Sequence, residues 1–206
     1  MAWLCDCPYV TSNPELRLLA TPLFQGRPYY RAYLIVPDKD LSSRSVADLR
    51  GKVFAYTDPH SNVGYLIPRL DIMRMGDDPD RYFRRTFFTW SHRKAIVAVG
   101  SNLAQGASVS SYIWETLRRF EPGVTEATRV VSRSEEFGFP PFVAQHAMPE
   151  KTFQAVQHVL LDMANDPRGR ALLRKTNLDG FILPSAAYYE KMRDLLKTMQ
   201  KSLNAP

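Results

Sequence analysis

From residue 51 onward, apolar and polar positions follow two alternating rhythms. The run Val53-Phe54-Ala55-Tyr56 is strand-like, with Gly51 before it and Thr57 after it. Next, Leu66, Leu70 and Met73 recur at steps of four and three, the spacing of one face of a helix over about 63–75. The rhythm repeats with a strand over Phe83–Thr89 and a helix over Arg93–Gly100, apolar at Ile96, Val97 and Val99 and opened by Ser91-His92. It continues with a strand over Gly106–Ser110, a helix over Tyr112–Phe120 and a strand over Thr128–Ser132. Such alternation predicts an α/β fold on a parallel sheet with right-handed crossovers.

The flanks read differently. Met1–Cys5 is a short apolar strand that turns at Pro8, Leu16–Phe24 is a second strand, and Tyr29–Val36 is one strong β-rich run ended by Pro37-Asp38. Ser45–Arg50 is expected to form a turn or two of helix. Beyond the breaker cluster Phe137–Pro141 and a short strand at Phe142–Gln145, the remainder reads as helical. One stripe joins Phe153, Val156, Val159 or Leu160, and Met163; another joins Tyr189, Met192, Leu196, Met199 and Leu203. Asp166–Gly169 punctuates a shorter helix between them.

Composition narrows the class without naming a function. The 206 residues are 45% hydrophobic and 23% charged, an ordinary globular balance. No apolar run approaches the ~20 residues that span a bilayer. The N-terminus lacks a basic n-region and carries Asp6, so no signal peptide is expected there: the chain is cytoplasmic or lacks its original beginning. A net charge of +6 favours an anionic ligand, but the basic clusters are interleaved with acids and form no stripe for nucleic acid. Cys5 and Cys7 are the two cysteines; without a histidine pair they cannot build a zinc site, and free thiols are expected. No metal and no cofactor are expected.

Chemistry concentrates where strands end. Thr57–Gly64 contains a turn starter (Asp58-Pro59), two capping residue types (Ser61 and Asn62) and Gly64, where backbone can approach closely. The helix that follows tolerates Pro68 in its first turn. Its N-terminal N–H groups would attract an anion. The strand ends Thr89–His92 and Ser108–Ser111 are also polar, and in open α/β sheets ligands bind beyond the carboxyl ends of strands. His92, with an ordinary pKa near 6.5, could donate to that anion. A Ser/His hydrolase using Ser61 or Ser110, His92 and Asp58 is the enzymatic alternative, but no G-x-S-x-G elbow is present.

These residues also carry a family likeness. Leu49–Pro68, Asp78–Asp80 and Phe88–His92, with Trp3–Tyr9, Gly26–Tyr30, Ser111–Glu115 and Asp166–Gly169, resemble the phosphate/phosphite/phosphonate substrate-binding proteins of ABC importers, the PhnD-like family. The likeness implies a type II periplasmic-binding-protein fold, two α/β lobes closing on a small oxyanion. It implies a non-catalytic component for import or for ligand sensing, an ABC permease as partner, an extracytoplasmic location and a monomer. Residues 42–133 would form a complete lobe with the anion loop, and 1–41 plus 134–206 a second lobe lacking its opening β/α units. By the same likeness Ser61, Asn62, Val63, Gly64 and His92 hold the anion, with Tyr30, Tyr9 and Ser110 around it. The family's loop commonly reads Asp-Pro-x-Ser-Thr-Ser-Gly, so Asn62 and Val63 are departures that remove a side-chain donor.

Overall fold

The computed structural model describes residues 1–12 and 15–203. It divides the chain into two units, 31–135 and 1–30 with 136–206, which the chain joins at Tyr30–Arg31 and Glu135–Glu136.

The 31–135 unit is built on a five-stranded sheet in the order Arg85–Phe88, Val53–Tyr56, Gly106–Ser110, Ala32–Pro37, Thr128–Arg133. The first three strands are mutually parallel, so their carboxyl ends share one edge. Ala32–Pro37 runs antiparallel to both of its neighbours, which makes the sheet mixed rather than parallel. That strand also moves the boundary. The expected lobe began at residue 42, but Ala32–Pro37 is hydrogen-bonded inside this sheet and 31–41 belongs with it.

Both faces of the sheet are covered. Tyr33 and Ile35 face a core formed with Ala55, Ile96, Val99 and Trp114. The alternate residues Leu34 and Val36 face another, with Phe54, Ile72 and Phe83. Burial on two sides explains why these strands are continuously apolar. The helix His92–Gly100 sends Ile96 and Val99 inward, while Val97, expected on the apolar face, lies 44% exposed.

The other unit carries a four-stranded antiparallel sheet in the order Ala2–Trp3, Phe142–Gln145, Leu16–Leu23, Gly180–Ile182. Three readings change here. Asp6–Ser12 is a helix, not a turn at Pro8; Pro8 fits because first-turn N–H groups need no partner. The run Tyr29–Val36 is two strands broken at Arg31, Tyr29–Tyr30 pairing with Phe137–Gly138 and Ala32–Pro37 joining the large sheet. Gly180–Ile182 adds a strand within the stretch read as helical. In the long helices Leu160 is buried and Val159 is 64% exposed, which decides the pair left open by spacing alone. Tyr189, Met192 and Leu195 are buried, and Leu196 is half-buried; the side chain of Leu203 lies outside the described residues.

Candidate functional site

The chain leaves Val53–Tyr56 and folds into a tight turn built by its own polar groups. Asp58 Oδ1 accepts the His60 N–H at 2.7 Å, and the Asp58 carbonyl accepts the Ser61 N–H at 3.0 Å. Ser61 is extended (φ −79°, ψ 124°), and its Oγ accepts the Gly64 N–H at 3.0 Å, an N-cap in action. Its carbonyl receives both the Tyr65 N–H (3.2 Å) and the Leu66 N–H (3.1 Å). The second bond is a five-residue step, so Asn62–Leu66 forms one π turn before the α-helix Ile67–Arg74. Such turns recur at functional sites.

Gly64 is dictated by contact. The Gly64 carbonyl accepts the Thr57 N–H at 3.3 Å, and a Cβ on Gly64 would lie 1.7 Å from Thr57 Oγ1. Thr57 is buried, and its Oγ1 has no hydrogen-bond partner among the described residues. Asn62 is also buried. Val63 buries its side chain, and its carbonyl accepts a hydrogen bond from Ser108 Oγ. Val63 therefore offers backbone rather than side-chain chemistry.

His92 is the first residue of its helix, placed by Ser91, whose Oγ caps the Lys94 N–H at 3.4 Å. Its Nδ1 accepts the Ser110 N–H at 3.1 Å, which leaves the ring proton on Nε2. Burial lowers its pKa to about 4, and the Asp58 carboxylate opposes that shift only in part. The ring is thus a neutral donor at pH 7. Ser110 starts the helix Ser111–Phe120, and its side chain makes no capping bond. Ser111 instead anchors the neighbouring strand: its Oγ accepts the Arg31 N–H and its N–H donates to the Arg31 carbonyl, both at 2.9 Å.

These bonds stitch the three strand ends together. Thr89 N–H reaches the Tyr56 carbonyl (2.9 Å), Ser108 holds Val63, and Ser110 holds His92. Ser61, Asn62, Val63, Gly64, His92 and Ser110 therefore occur on one edge of one sheet. The side-chain groups collected there include the Ser61 and Ser110 hydroxyls and the Nε2–H of His92, a set suited to an oxyanion, while the N–H groups of Ser61, Gly64, Tyr65, Leu66 and Ser110 are already bonded within the turn or to His92. Ser108 was not singled out from sequence as the group that holds the turn, although the period-two spacing to Ser110 was visible.

The last two candidates belong to the other unit. Tyr30 donates its hydroxyl to Asp6 Oδ1 at 2.9 Å, both residues buried. Tyr9 is a core residue there, its ring centroid 4.8 Å from that of Tyr189. Among the described residues no group of three or more His, Cys, Asp or Glu could hold a metal. Cys5 is exposed and Cys7 buried, and no disulfide joins them.

Residues 1–189 match a family model described as ABC transporter, phosphonate, periplasmic substrate-binding protein. Solved structures agree on the fold. A binding-protein component of an ABC phosphonate transporter from Pseudomonas aeruginosa is 20% identical, with a TM-score of 0.86 over 97% of this chain and 68% of its own. PhnD1 from Prochlorococcus marinus, solved with methylphosphonate, is 18% identical, with a TM-score of 0.83 over 97% and 78%. A Xanthomonas citri protein solved bound to ATP is 22% identical, with a TM-score of 0.71 over 95% and 75%. The fold is that of the type II periplasmic binding proteins.

Proposed function

The chain belongs to the ABC transporter phosphonate periplasmic substrate-binding family, and on that premise we propose that it binds a phosphonate, phosphite, phosphate or similar small oxyanion without transforming it. Ser61, Asn62, His92 and Ser110 form the binding set, with Val63 contributing through its backbone and Gly64 shaping the turn through its bond to Ser61. The carrying observation is the shared sheet edge, where the Ser61–Gly64 turn and the Nε2–H of a neutral His92 are joined through Ser108 and Ser110. Ser61 Oγ accepts from Gly64, so its own proton stays available to an anion oxygen.

The ligands of two relatives support the head group: methylphosphonate in one and ATP in another share a phosphorus oxyanion. Against a Ser/His hydrolase, the Nδ1 lone pair of His92 receives the Ser110 N–H, and the remaining ring nitrogen carries the proton. The imidazole is left as a donor, not a base. In this reading the protein works outside the cytoplasm and delivers its ligand to an ABC permease.

Thermal shift and calorimetry with methylphosphonate, phosphite, phosphate and sulfate test the proposal. At least one anion should raise Tm, with about 2.7 kcal/mol of added stability at a hundredfold excess over Kd. Ser61→Ala and His92→Ala should each weaken binding by roughly tenfold, about one lost charge-assisted hydrogen bond. No stabilisation by any of the four would overturn it.

A further inference from the structure

The segment that delivers His92 to the site carries a backbone anomaly. Trp90 stands at φ 56°, the left-handed region that bulky L-residues avoid because Cβ crowds the backbone. Its side chain is 67% exposed, so core packing does not repay the strain. Strain of this kind tends to be stored at functional positions. Consecutive Cα atoms lie about 3.8 Å apart, which keeps Trp90 within roughly 7.6 Å of His92 from Cα to Cα.

Trp90 also begins a run of rings that leads back to the anion turn. Its centroid lies 5.8 Å from that of Phe88, itself 37% exposed. Phe88 lies 5.5 Å from Tyr65, a member of the Asn62–Leu66 turn, and Tyr65 lies 5.0 Å from the buried Tyr56. The rim of the sheet edge thus joins neutral oxyanion donors to an exposed aromatic surface within the same unit. We propose that Trp90 and Phe88 form a stacking platform for a planar aromatic substituent borne by the anion, so that the site prefers aryl phosphonates, or aryl and nucleoside phosphate esters, to small alkyl phosphonates. This rests on the oxyanion reading above and adds the chemistry of the group attached to phosphorus.

The physical basis is the large apolar face of indole and its preference for offset stacking with another ring. Stacking of a base on an aromatic side chain is sequence-tolerant because every planar ring presents a π face. The left-handed position holds Trp90 out from the strand, where a smaller residue would offer no surface. A glycine there would remove both the strain and the platform.

Calorimetry with methylphosphonate, phenylphosphonate and AMP on the full chain and on Trp90→Gly tests this directly. Phenylphosphonate or AMP should bind the unsubstituted protein roughly tenfold more tightly than methylphosphonate, the lower range of a single stacking contact. Preference for AMP over phenylphosphonate would identify a purine ester as the source, and the reverse order a simple aryl anion. Trp90→Gly should keep methylphosphonate affinity and lose the aromatic advantage, while its Tm rises because glycine accepts the left-handed backbone without strain. Trp90→Phe should recover part of the advantage. Methylphosphonate binding with no aromatic preference, or a preference that survives in Trp90→Gly, would overturn the platform alone. Failure of all three ligands to bind while phosphate, phosphite or sulfate binds would overturn the platform alone, and failure of every one of these anions would overturn the oxyanion reading and the platform with it.

Discussion

Gly64 and His92 show how single residues set this site. Gly64 lies under Thr57 with no room for a methyl group, so Gly64→Ala must push the turn away from the strand. The expected cost is on the order of 3 kcal/mol, as for overpacking a closed interior, with loss of anion binding. Urea unfolding of the variant measures it; a change within ~0.5 kcal/mol would show that the turn relaxes freely. His92 makes a pH prediction whose sign follows from its depressed pKa. The unfolded chain takes up a proton near pH 6.5, the folded protein only near pH 4. The neutral ring's contribution is therefore intact above pH 6.5 and is lost as pH falls toward 4, a loss on the order of 3 kcal/mol. Stability measured across that window should slope downward toward acid, and His92→Gln should flatten the slope. At this scale much was legible: Ser61 as cap, Gly64 as close approach and His92 at a helix start follow from residue chemistry. The tautomer of His92 was not, because its partner Ser110 comes from a distant strand end.

At the scale of elements, the π turn depends on a neighbour. Ser108, on the strand Gly106–Ser110, donates to the carbonyl of Val63, which is buried with its side chain. Ser108→Ala should leave that carbonyl unpaired at a cost of about 1–3 kcal/mol and loosen the donors above it. Chemical denaturation with and without methylphosphonate would separate the two effects; unchanged stability would remove Ser108 from the account. Helices and parallel strands between residues 51 and 120 were legible because period and length agree there. The helix Asp6–Ser12 was not, since Pro8 reads as a break although first-turn N–H groups have no partner to lose. Gly180–Ile182 escaped notice for another reason. It is too short to show a period, and its strand character comes from pairing with Leu16–Leu23.

For the whole molecule, the relevant property is a net charge of +6 together with a proposed oxyanion site whose candidate donors are neutral. The general field should speed the arrival of an anion, while short-range hydrogen bonds hold it. Raising ionic strength from ~10 mM to ~150 mM shortens the Debye length from about 30 Å to about 8 Å. The association rate of methylphosphonate should therefore fall with salt while its dissociation rate stays nearly constant. Stopped-flow tryptophan fluorescence resolves both rates, and a salt effect confined to dissociation would contradict this division. The same scale settles the unit boundary. Tyr29–Val36 is one uninterrupted β-rich run, yet Tyr29–Tyr30 and Ala32–Pro37 pair in different units.

What the residues determine alone is local: turn chemistry at Asp58-Pro59, capping at Ser61, the glycine at 64, and the alternation that makes an α/β sheet. These depend on interactions within a few residues, and so they leave a pattern in the sequence. Tertiary structure decided the mixed sheet, the division at Arg31, the bond from Ser108 to Val63 and the one from Ser110 to His92. Each of these joins groups far apart in the chain, and their partners are chosen by which strands lie side by side rather than by any spacing along it.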